Sequence, residues 1–146
     1  MNVTKYKEQL KDLPFYEITI GYTTIHLFTE AELSEGQIGY SVDSKGNSFI
    51  GNKDDDWKKN WFVIGFEDLC GDPMFIDLDS KVFPVFTSIH GTGNWEQILI
   101  ADSFESFIKS LKIIAELKPK EETLEKIKSL NQQADSEFWE LLFEED

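Results

Sequence analysis

At 146 residues the chain has the length of one ordinary domain, and its 40% hydrophobic content, with 12 Phe, 4 Trp and 4 Tyr, excludes a chain that is disordered throughout. Its 28 acidic residues face 14 basic ones, a net charge of -14, and every basic residue is a lysine. That balance argues against arginine clamps on phosphate, against nucleic acid and against anionic membrane, and the lack of any run near 18 apolar residues or of an apolar leader in MNVTKYKEQL leads to the expectation of a cytoplasmic protein.

Val3, Tyr6 and Leu10 recur at helical spacing, predicting a short amphipathic helix that ends by Pro14. YEITIGYTTIHLF, residues 16–28, changes to β-branched and aromatic residues around Gly21, the pattern of a hairpin or two short strands. A brief turn or helix follows, then a strand near 38–42, turn chemistry in DSKGNS and a polar loop in NKDDDWKKN, 52–60. In WFVIGF, 61–66, both alternating sets are apolar, as in a central strand covered on two faces. Strands are predicted at 73–78 and 82–89, joined at Asp79-Ser80; Pro84 lacks an N–H, which places the second at an edge or at a bulge. HGTGN turns the chain into a further strand, WEQILIA.

The period then changes to 3.6. Asp102 and Glu105 give a start like a capping box, and Phe104, Phe107, Ile108, Leu111, Ile114 and Ala115 line one helical face. Pro119 restarts a second helix with Leu124, Ile127 and Ala134 on its stripe, and EFWELLF forms a last one; these helices either cover the sheet or pair in a homodimer. Strands followed by terminal helices predict one α+β domain over 1–146, a central antiparallel or mixed sheet with the N-terminal and C-terminal helices packed on one side.

No residue set carries a recognisable chemistry. Cys70 has no second cysteine for a disulfide or metal pair and no flanking lysine, which leaves it a small buried hydrophobe, and His26 and His90 lack zinc spacing. Asp54, Asp55 and Asp56 offer oxygens to a hard cation, but consecutive loop residues diverge and Lys53, Lys58 and Lys59 offset them, so no metal or cofactor is expected. Gly91-Thr92-Gly93 lies between strands and reads as a turn. Asp72 is read as a cap on the turn into its strand, and Asp77 as a structural or solvated carboxylate. What remains is a binding surface: Trp57 and Trp95 are rigid aromatic groups beside carboxylates, Asp54, Asp55 and Asp56 in one case and Glu96 in the other. For Trp57 and Trp95 a place in the core is an equal alternative.

The succession Trp61-x-x-Ile64-Gly65, Gly71-Asp72 leading into Phe75-Ile76-Asp77-Leu78, Pro84-Val85, then a strand and Ser103-Phe104 with Phe107 in a helix, resembles the SUKH superfamily of yeast cell-wall synthesis regulators and bacterial immunity proteins. The resemblance spans roughly residues 15 to 117 and leaves 119–146 as a helical C-terminal extension. It departs at the front, where Leu13-Pro14-Phe15 stands in place of the family's Leu-Pro-x-x-[FY] helix. It implies an α+β fold, no catalytic residue and, in bacteria, a cytoplasmic protein that binds and blocks a toxin, often a nuclease. Trp61, Gly65, Gly71, Asp72, Asp77 and Pro84 are then fold-marking positions. The function expected is thus a non-catalytic module for a basic protein partner; a regulatory scaffold and a metal-assisted hydrolase using Asp77 or the 54–56 carboxylates are the alternatives.

Overall fold

The computed structural model describes residues 3–20, 23–51, 53, 56–68, 71–88, 97–116, 121–134 and 137–142. It is an α+β structure. Six strands, β1 (Glu17–Ile20), β2 (Thr23–Leu27), β3 (Trp61–Glu67), β4 (Pro73–Asp77), β5 (Val85–Thr87) and β6 (Ile98–Ala101), form one antiparallel sheet in chain order. The helices are α1 (Val3–Leu10), α2 (Leu33–Gly36) behind a 3-10 turn at Glu30–Glu32, α3 (Phe104–Glu116), α4 (Glu121–Leu130) and α5 (Glu137–Leu142). Because α3 touches both outermost strands, β1 and β6, the sheet curls around it.

Strand alternation produces two apolar layers. One face gives Ile25, Ile64, Met74, Ile76, Val85 and Ile100 to a core that every long helix enters, through Tyr6 and Leu10, Phe104 to Ile114, Ile127 and Trp139. The other gives Val63, Phe75 and Phe86, covered by Trp57 and Tyr40 from the irregular connection between α2 and β3. The two-sided burial expected of 61–66 is therefore present. At roughly 25 cal/mol per Å2 of apolar surface, each fully buried Ile or Phe contributes about 1.5–3 kcal/mol.

Several elements differ from expectation for local reasons. Ile38–Val42 is no strand: Gly39 N–H bonds the Val42 carbonyl in a tight turn, only isolated bridges form, and Ile38 stays 46% exposed. The strand predicted at 82–89 begins only at Val85, because Phe83 sits at φ 53° and Pro84 has no N–H to pair. It is an inner strand and not an edge, and of the two expected arrangements it has the bulge, one residue past Pro84, with the register shift falling between Val85 and Phe86.

The cap of α3 is Ser103, not Asp102. The Ser103 hydroxyl accepts the Ser106 N–H at 3.0 Å, while the Asp102 carboxylate accepts the Gln133 N–H at 3.0 Å and Glu105 pairs with Lys109 at 2.9 Å. Ala115 is exposed, and Ser106 and Ser110 occupy the buried face in its stead. They are tolerated because Asn131, 4% exposed, bonds both hydroxyls, at 2.8 and 2.9 Å, and fixes the end of α4 against α3. Trp139 on α5 donates its indole N–H to the Ile100 carbonyl at 2.7 Å, so the C-terminal helices belong to the main core.

Candidate interaction site

Of the expected anchor residues, Asp56 and Trp57 are among those described. Asp54, Asp55, Cys70, the turn at 90–94, Trp95 and Glu96 lie outside the described residues. Trp57 takes the core place of its two expected alternatives: it is 0% exposed, wedged against Trp61 at 5.2 Å and Phe75 at 4.9 Å between ring centroids, with its N–H bonded to the Trp61 carbonyl at 3.2 Å. It seals the outer layer of the sheet and offers no surface. Asp56 accepts the Lys53 N–H at 3.0 Å and shapes the turn before Trp57.

The fold-marking positions have structural duties. Trp61 is buried in the same outer layer. Gly65 lies where a Cβ would stand 2.1 Å from the His26 carbonyl, so β2 and β3 approach only over glycine. Gly71 takes φ 77°, open to glycine at no steric cost, and bonds back to the Glu67 carbonyl at 3.1 Å. In the same turn the Glu67 carboxylate accepts the Asp72 N–H at 3.0 Å. Asp77 accepts from the Asn60 amide at 2.7 Å and the Asp79 N–H at 2.9 Å, a turn-shaping carboxylate. Pro84 precedes β5 and stops pairing there. Among the described residues no group of three or more His, Cys, Asp or Glu is placed to hold a metal, and no helix is long and apolar enough to cross a membrane.

What the fold does bring together is a groove of about 390 Å3 on the outer side of β2 and β3, with Phe28, Phe66, Tyr40 and Ile38 as apolar walls and Glu32 and Glu35 as charged ones. Its construction begins with the bulge between Val63 and Gly65. Phe62 and Ile64 side with the main core; the shift of one residue then brings Phe66 out, half-buried, to stack on His26 at 4.7 Å and 19° and to meet Phe28 at 5.9 Å. Past Phe28, whose N–H still reaches the Ile64 carbonyl at 2.8 Å, the chain leaves β3, and Gln37 takes the missing strand's place: its amide donates to the Val63 carbonyl at 2.8 Å and accepts the Val63 N–H at 2.9 Å. That clamp holds the end of α2 on the sheet. Gly36 then lies so near the Phe28 ring that a Cβ would come within 2.2 Å of it, and the Tyr40 hydroxyl reaches the Gly71 carbonyl at 3.4 Å.

The electrostatics are one-sided. Thr29 gives its N–H and its hydroxyl to the Glu32 carboxylate, at 3.0 and 2.9 Å, and these bonds hold Glu32 below the ordinary carboxylate pKa and so ionised. Burial, followed by the nearby Asp72 and Glu67 charges, pushes the Tyr40 phenol up. Beside the groove, His26 is bracketed by Glu17 at 2.9 Å and Asp68 at 3.6 Å. The described lining includes no lysine. Sequence alone left this grouping unremarked because its lining comes from two stretches, 28–40 and 66–71, that lie apart in the chain; the one local signal was Thr29-x-x-Glu32, a capping pair ahead of an acidic turn.

Comparison with protein-family models, with curated proteins and with solved structures finds no match for this chain.

Proposed function

We propose that this chain is a non-catalytic protein-binding module, a SUKH-like immunity protein that acts in the cytoplasm by binding and neutralising a basic bacterial toxin, a nuclease by the logic of charge. The observation that carries the reading is the groove: aromatic walls, two glutamates and no lysine among its described lining residues, on a chain of net charge -14. A nuclease needs a basic cleft to hold phosphates, and an acidic protein is steered toward such a cleft and occupies it. Aromatic surface supplies the desolvated contact that charge alone lacks. The half-buried Asp77 is engaged in its turn, which supports a structural place for that carboxylate.

The test is calorimetric titration of the purified protein with the product of the neighbouring gene at about 50 and 500 mM salt. Tight binding that weakens with salt supports the reading. Binding indifferent to salt rejects its electrostatic part, and no binding rejects the assignment as an immunity protein.

A further inference from the structure

Among the described residues two concavities invite a ligand, and their charges decide between them. The larger, about 550 Å3 between α1, α3 and the turn before β5, mixes Lys5, Lys81 and Lys109 with Asp12 and Glu105. Its cations are partly engaged internally: Lys5 donates to the Lys81 carbonyl at 3.0 Å and Lys109 pairs with Glu105 at 2.9 Å. The groove beside Phe66 has no such compensation among its described lining residues. It offers two glutamates and three aromatic side chains in one lining and a volume, about 390 Å3, at the lower end of small-ligand clefts, so it takes one long side chain and not a domain surface.

We infer that this groove receives an arginine side chain from the basic partner, its stem and guanidinium plane lying against Phe28, Phe66 and Tyr40 and its N–H groups meeting Glu35 and Glu32. The inference rests on the protein-binding reading and names what the groove recognises. Three properties select arginine. Its planar cation stacks on aromatic faces, is more weakly hydrated than an ammonium and presents a fork of donors to carboxylates. The apolar walls accept the methylene stem. Glu32 keeps its charge through the two Thr29 hydrogen bonds, so that carboxylate is fixed before the ligand arrives. Gly36 is the geometric control, because a methyl group there must push the Phe28 ring aside.

The experiment titrates the isotope-labelled full chain, followed by amide NMR, with the blocked tripeptides Gly-Arg-Gly and Gly-citrulline-Gly, the second a neutral isostere. The arginine peptide is expected to shift the Gly36, Phe66 and Gly71 amides saturably, with citrulline at least fivefold weaker. E32Q/E35Q keeps an acceptor for Thr29 and is expected to weaken arginine binding about three- to tenfold, as the loss of two exposed ion pairs implies. G36A keeps both charges and is expected to weaken both peptides. Equal binding of the two peptides, or arginine shifts confined to residues outside the groove, overturns the inference. If the neighbouring gene product binds wild type and both variants alike, the groove inference falls and the immunity reading stands. If the arginine peptide binds as expected while that product does not, the reverse holds.

Discussion

Tyr6 gives the sharpest stability prediction. Its side chain is 0% exposed, edge-on to Phe104 at 5.0 Å, Phe83 at 6.0 Å and Phe62 at 6.1 Å, and its hydroxyl has no hydrogen-bond partner among the described residues. A buried polar group left unsatisfied costs about 1–3 kcal/mol. Tyr6→Phe removes it and keeps the ring. The void left by one oxygen, at ~24 cal/mol per Å3 over roughly 15 Å3, costs only about 0.4 kcal/mol. The variant is therefore expected to be more stable by about 0.5–2.5 kcal/mol, a rise of about 2–4 °C in Tm per kcal/mol. Urea unfolding followed by tryptophan fluorescence measures it. Burial raises the Tyr6 phenol pKa above its unfolded value near 10, so the folded state holds its proton longer and wild-type stability falls as pH climbs past about 10. The contribution of Tyr6 to that fall is absent in Tyr6→Phe. A loss of 1 kcal/mol or more in Tyr6→Phe at neutral pH would refute the reasoning, since the hydroxyl would then be making a bond.

Gly65→Ala sets a Cβ against the His26 backbone, which cannot yield as a side-chain tip can, and is expected to cost about 1–3 kcal/mol in urea unfolding and to disturb the His26–Phe66 stack in NMR spectra. Asn131→Ala removes its bonds to the Ser106 and Ser110 hydroxyls and to the Asp102 N–H, while those hydroxyls keep the Ser103 and Ser106 carbonyls at 2.9 and 2.7 Å; a loss of about 1–3 kcal/mol in thermal or urea unfolding is expected. The Asn47 amide, followed by backbone N–H groups of the same turn, holds Asp43 below its ordinary pKa. A depressed folded pKa stabilises above the unfolded value, near 3.9, and that share is lost as pH falls through the folded one. The stability gap between wild type and Asp43→Ala should accordingly be present at pH 6 and close in acid; a gap unchanged at pH 2 would count against those bonds.

The sequence was most legible where burial is periodic. The doubly apolar run at 61–66 and the Phe104 to Ile114 face became the inner strand and the central helix, because alternation and 3.6-residue spacing depend only on neighbours in the chain. Trp57 shows the opposite case. Its flanks, Asp56 and Lys58, are polar, so the local pattern reads as solvent-facing, yet the connection folds over the outer face of the sheet and buries it on Trp61 and Phe75. Ser103 displaced Asp102 as the cap because Asp102 is drawn to Gln133, 31 positions away. The groove was illegible for the same reason: Phe28, Glu35, Tyr40 and Phe66 meet only once the bulge in β3 and the Gln37 clamp are formed.

In the proposed function, carboxylates draw in a positively charged protein. Stopped-flow association with the neighbouring gene product, over about 50 to 500 mM salt, tests that most directly. An association rate falling tenfold or more, with dissociation nearly constant and E32Q/E35Q less sensitive to salt, is the predicted result. An association rate that does not change with ionic strength would contradict it.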